Sequence, residues 1–155
     1  MKKSIVAIFV FLMIINFVTP VCAVISEDKS EKIILIDPGH GGIDGGAKSK
    51  NGTIEKDINL QIAIKLKENL EDKGYKVYMT RECDEGLYKQ GKTVKEKKRE
   101  DLKKRVDLKT ETNCDIFVSI HQNMFPQSKC YGAQVWYASN ENSNKLATRV
   151  QDAIK

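Results

Sequence analysis

The sequence is poor in the residues that usually carry metal or nucleophile chemistry. It has two histidines, His40 and His121, and four cysteines in 155 residues. Cys22 lies within an N-terminal segment expected to be removed, which leaves Cys83, Cys114 and Cys130. An odd three without close paired spacing excludes a zinc knuckle and a disulfide framework. One Cys83–Cys130 bridge stays open, and Cys114, just before an apolar run, reads as a small buried hydrophobe. No Gly-Lys-Ser/Thr and no GxGxxG spacing occurs, so the glycine-dense stretch from Gly39 to Gly52 is not a phosphate cradle of known type. Beyond Tyr88, no aromatics interleave with the basic run from Lys89 to Arg105. Its lysines and arginines alternate with Glu96, Glu100 and Asp101, as on a solvated helix face, and no nucleic-acid partner is expected.

Met1, Lys2 and Lys3 precede an apolar stretch from Ile5 to Val18, too short for a comfortable membrane span, and Val21-Cys22-Ala23 supplies a small-residue cleavage pattern. Residues 1–23 therefore read as an export signal, with an uncleaved anchor as the alternative. The only expected membrane association is through this signal, and the expected location is extracytoplasmic. Loss of Lys2 and Lys3 takes the net charge from +5 to +3. Residues 24–31 read as a short linker and 32–155 as one domain, because 41% hydrophobic content is enough for a core.

Within that domain, Ile33-Ile34-Leu35-Ile36 is apolar without alternation, as in a strand buried on both faces of a parallel sheet. Ile58, Ile62, Leu66 and Leu70 fall four apart and Gly74 follows, which predicts a helix of about 17 residues beginning near Lys56. Val77–Thr80 reads as a second strand, giving a βαβ unit. Arg81–Lys98 reads as a long excursion bordering a site, and a helix is expected from about Arg99 to Thr110. Asp115–His121 repeats the first strand's pattern, Gln134–Ala138 reads as a fourth strand, and Leu146, Val150 and Ile154 mark a third helix. The fold class is α/β: a single domain with a mostly parallel central sheet flanked by helices.

Each histidine ends one of these apolar strands. In a parallel α/β sheet the carboxyl ends of the strands form one edge, where ligands bind. Catalytic zinc commonly takes three protein ligands, often two histidines and a carboxylate, and keeps a fourth position open. Glu55, after the glycine loop and at the mouth of the first helix, is the natural third ligand beside His40 and His121. Taken alone, a strand-end histidine is a capping or surface group, and Glu55 a first-turn acid facing the helix dipole. Two histidines in equivalent positions favour ligation.

These residues carry a resemblance. Ile36-Asp37-Pro38-Gly39-His40-Gly41-Gly42 with Asp44-Gly45-Gly46-Ala47, Glu55-Lys56-Asp57-Ile58-Asn59-Leu60, Thr80-Arg81, and Asp115 to Asn123 around Ser119-Ile120-His121 resemble the zinc-dependent N-acetylmuramoyl-L-alanine amidases of the Amidase_3 family. A signal leading directly into this domain looks most like the germination-specific, CwlD-type members that act on spore cortex. The resemblance implies zinc held by His40, Glu55 and His121, and hydrolysis of the amide between N-acetylmuramic acid and L-alanine in peptidoglycan. It also implies a catalytic glutamate in a late Glu-x-Gly-Phe motif, which this sequence does not contain. Glu141 sits in an unmatched Asn-Glu-Asn-Ser setting and is not assigned that role, so the catalytic residue is unknown. The expectation is a domain without the family's final strands and helix, slower than an extended form by at least about 100-fold if general acid/base catalysis is lost. Two rival readings are a zinc- and peptidoglycan-binding fragment without turnover and a zinc hydrolase of other wall specificity.

Overall fold

A computed structural model describes residues 31–122 and 132–154. The export segment and Cys130 lie outside these residues. Three parallel strands form one sheet in the order β2-β1-β3: β1 is Ile33–Pro38, β2 is Lys76–Met79 and β3 is Ile116–Ile120. The helices are α1, Glu55–Glu71; α2, Val94–Glu111; and α3, Glu141–Ala153. The α/β class and the βαβ opening are as the sequence implies. Among the described residues, no helix is long and apolar enough to cross a membrane.

β1 is central and buried, as its unbroken apolar run requires. Ile34 and Ile36 pack with Val77 of β2 and Ala63 of α1, and Leu66, Leu70, Met79, Ile116 and Ile120 close around them. The helix is turned from the expected stripe. Ile62 is 42% exposed, whereas Glu55, Asn59 and Ala63 are the buried positions. Two polar residues one turn apart thus take part of the inward face, because that face also looks onto the end of β1.

Two further expectations are corrected. β3 is not buried like β1: Phe117 and Ser119 are exposed on one side, so it is half-covered in the manner of an edge strand. Gln134–Ala138 forms no strand. Gln151 of α3 meets this segment instead: its Oε1 accepts from Val135 N–H at 2.9 Å and its Nε2 donates to Ala133 O, just before the stretch, at 3.1 Å. No ladder forms along the stretch, and Trp136 is 82% exposed.

α2 starts five residues before the expected Arg99. Thr93 Oγ1 accepts from Glu96 N–H, and the Glu96 carboxylate accepts from Thr93 N–H, a capping box that fixes the start at Val94. The excursion before it is therefore 81–93. Cys83 in that loop is an exposed free thiol, and Cys114 is half-buried.

Candidate metal centre

The chain leaves β1 at Pro38 and turns sharply. His40 adopts the left-handed region at φ 64°, uncommon for a residue with a side chain. Gly41 and Asp44 then exchange backbone hydrogen bonds of 2.9 and 3.1 Å, closing a tight turn. The glycine loop folds back as expected: Glu55 N–H donates to Ala47 O at 2.9 Å and Lys56 N–H to Gly45 O at 3.1 Å. This return delivers Glu55 to the end of β1, and the parallel pairing of β1 with β3 delivers His121 beside it.

All three expected residues converge. Glu55 Oε1 lies 3.2 Å from His40 Nε2 and 3.0 Å from His121 Nδ1, and one donor atom from each residue falls within 4.8 Å of the others. The imidazoles meet edge to face with centroids 4.8 Å apart. The close approach needs glycine at two points. A Cβ on Gly39 would enter the His121 ring, and one on Gly46 would come within 2.6 Å of both Glu55 Oε2 and His40 Cδ2.

Glu55 is held as a carboxylate. Burial by itself raises its pKa, but N–H donors from Ala47 and Gln122, the His121 ring and the charge of His40 outweigh this and bring it to about 2. Asp44 behaves alike: its partial burial is outweighed by Lys98, by His40 and by Gly46 N–H, and its pKa is lowered to about 2. Asp44 Oδ2 sits 3.1 Å from His40 Nδ1, and Lys98 Nζ donates to Asp44 Oδ1 at 2.8 Å.

Sequence reasoning missed the residues that brace this cluster. Asn59, fully buried one turn after Glu55, donates to Gly39 O at 3.2 Å and accepts from Gln122 Nε2 at 3.2 Å. Two buried arginines serve the carbonyls that leave the sheet. Arg81 Nε donates to Pro38 O at 3.0 Å and its Nη2 to Gly39 O at 3.1 Å. Arg105 Nη1 donates to Pro38 O at 3.0 Å and its Nη2 to His40 O at 2.7 Å. Arg105 also pairs with buried Asp37, whose carboxylate accepts from Thr80 and Ser119 hydroxyls at 2.7 Å each. Burial and the neighbouring Arg105 lower the Arg81 pKa, but a guanidinium remains charged in proteins. The available signals were the places of Asp37, Asn59 and Arg81 within the motifs that carry the resemblance; nothing in the charged run singled out Arg105.

The donor set fits a metal ion. Two imidazole nitrogens and one carboxylate oxygen are a common catalytic zinc set. The 3.0 and 3.2 Å separations are close to the edge of about 3.3 Å of a tetrahedron with bonds near 2.0–2.1 Å. Beside the cluster opens a cleft of about 230 Å³ lined by His40 and His121 together with Ile43, Tyr88, Lys98 and Leu102. The excursion 81–93 and the start of α2 therefore do border the site.

Comparison with known proteins agrees with this geometry. Residues 34–155 match the Amidase_3 family, N-acetylmuramoyl-L-alanine amidase. The germination-specific N-acetylmuramoyl-L-alanine amidase of Bacillus subtilis (strain 168) is 41% identical over 128 residues, covering 81% of this chain and 54% of that protein. Among solved structures, the CwlD amidase from Clostridioides difficile, in complex with the GerS lipoprotein, superposes with a TM-score of 0.77 at 46% identity, covering 81% of this chain and 66% of that one. An N-acetylmuramoyl-L-alanine amidase from Clostridium difficile 630 gives a TM-score of 0.64 at 35% identity, over 79% of this chain and 61% of that chain. The chain thus spans about half the length of the curated relative and two thirds of the CwlD chain. The chain belongs to the Amidase_3 family of N-acetylmuramoyl-L-alanine amidases.

Proposed function

We propose that this domain acts outside the cytoplasm, after removal of residues 1–23, as a zinc-dependent amidase. Its reaction is hydrolysis of the amide between N-acetylmuramic acid and L-alanine in peptidoglycan, with spore cortex the favoured wall by likeness to the germination-specific relative. The observation that carries the reading is the convergence of His40, Glu55 and His121 on one point, with both histidines lining a cleft.

His40, Glu55 and His121 would hold the zinc. When bound, zinc supplies Lewis acidity that activates water and polarises a carbonyl. The chain's own residues hold and orient. Ala47 and Gln122 N–H groups keep Glu55 anionic and fixed in place. The cleft admits a substrate against the two imidazoles, and Ile43 and Leu102 offer it apolar wall.

A second reading, zinc and peptidoglycan binding without turnover, is favoured by one observation. Among the described residues, every carboxylate lining the cleft is already engaged: Asp37 with Arg105, Asp44 with Lys98 and His40, Asp101 with Arg105 and Leu87 N–H. Glu141 pairs with Lys145 at the start of α3 and does not line the cleft. In this reading the three cleft aspartates hold neighbouring side chains in place instead of taking a proton from water.

One assay separates the readings. Zinc-loaded protein incubated with a muramyl-peptide is expected to release stem peptide with a new L-alanine amino terminus. Release of acetate instead would point to a wall-sugar deacetylase, and retention of substrate without any product would point to the binding reading.

A further inference from the structure

α2 contributes no member of the His40–Glu55–His121 cluster, yet it grips His40 at two separate places. Lys98 and Arg105 are seven residues apart, two turns along one face of the helix. Lys98 holds Asp44, and Asp44 meets His40 Nδ1. Arg105, 5% exposed, donates to the carbonyl of His40 itself. Between them Asp101 accepts from Arg105 Nε at 2.6 Å and from Leu87 N–H, tying the guanidinium to its own helix and to the loop before it.

These grips do different work. A ring nitrogen that donates to a carboxylate fixes the imidazole's tautomer and rotation, leaving the other nitrogen as donor toward the centre; second groups of this kind are typically worth 10- to 100-fold in metal affinity. His40 Nδ1 faces Asp44 and Nε2 faces Glu55, which is that arrangement. Arg105 acts on the backbone. His40 is in the left-handed region, a conformation unfavourable for a residue with a side chain that persists only where its surroundings hold it. The forked guanidinium reaches the carbonyls of Pro38 and His40 from its two separate Nη atoms, a reach that a lysine ammonium does not reproduce.

We propose that Asp44 and Arg105 are positioning residues for His40, Asp44 setting the ring and Arg105 the backbone, so that α2 controls metal affinity without touching the metal. The inference rests on the zinc reading above.

The test measures Zn²⁺ affinity by competition with a chelator, together with melting of the metal-free chain and the visible spectrum of the Co²⁺ form. Asp44→Ala is expected to weaken zinc binding about 10- to 100-fold and to alter the Co²⁺ bands, with any fall in metal-free melting matched by Lys98→Ala, which removes the same ion pair but leaves the Asp44 carboxylate on His40. Asp44→Asn keeps an acceptor oxygen and is expected to recover much of the affinity. Arg105→Lys keeps the charge beside Asp37 but not the fork, and is expected to weaken zinc binding as well. Lys104→Ala, on the same helix and paired with Glu111 away from the cluster, is expected to bind as wild type. Wild-type affinity and Co²⁺ bands in Asp44→Ala would overturn the inference while leaving the zinc reading intact. So would a loss that Asp44→Asn fails to reduce and that tracks a fall in metal-free melting. Absence of zinc binding by the wild-type chain would end the zinc reading and this inference with it.

Discussion

Gly46 and Glu55 are locked together across the returning glycine loop: a single added carbon on Gly46 would sit 2.6 Å from Glu55 Oε2 and as close to the His40 ring. Gly46 also has φ 68°, where only glycine sits without strain. The loop is thus shaped by the side chains it brings together.

Gly46→Ala is accordingly expected to cost roughly 1–3 kcal/mol, from the left-handed backbone and from overpacking, and to weaken metal binding at the same time. Denaturant unfolding and zinc titration check it. Full retention of both would show that the loop adopts another path.

Asp37 and Arg105 form an almost fully buried pair at the end of the central strand. Removing one partner leaves a charge without compensation, which typically costs about 3–5 kcal/mol. Asp37→Ala should lower the unfolding midpoint accordingly, whereas a change under about 1 kcal/mol would mean the pair behaves as a surface bridge.

Much of this was legible beforehand, for identifiable reasons. β1 announces itself because an unbroken apolar run has one common explanation, and His40 and His121 stand out because they are the sole imidazoles and both end strands. The braces were not legible. Arg105 sits in a run of charges where nothing in the spacing distinguishes one buried guanidinium from its solvated neighbours, and Asn59 hid inside a helix whose isoleucines drew the expected face toward Ile58 and Ile62. The start of α2 was readable from Thr93-x-x-Glu96, a capping signature that the irregular stretch before it obscured. Gln134–Ala138 carries a strand pattern, but a strand needs a neighbour to pair with, and among the described residues it has none; Val135 N–H goes to the Gln151 side chain instead.

Thr93→Ala removes the side-chain half of that capping box. Loss of about 1 kcal/mol is expected, with fraying confined to the first turn of α2. Amide hydrogen exchange at Lys95, Glu96 and Lys97 reads it directly, and unchanged protection there would contradict the assignment.

Asp84 gives a pH signature. Its hydrogen bond from Lys56, together with Gly42 N–H, lowers its pKa below the ordinary aspartate value. A depressed folded-state pKa means the contact's contribution is complete above the ordinary value and is lost as pH falls through the lower one. NMR titration of the Asp84 carboxyl should show a midpoint below that of an exposed aspartate, and Lys56→Met should return it to the ordinary range. A midpoint already ordinary in the wild type would remove the tie between the excursion and the glycine loop.

The central claim is that His40, Glu55 and His121 together hold one zinc ion, and metal content by mass spectrometry of the purified chain tests it most directly. About one zinc per chain is expected for the wild type, with loss of stoichiometric zinc in each of His40→Ala, Glu55→Gln and His121→Ala. A wild type devoid of zinc after incubation with the metal, or three variants that keep it, would contradict the account.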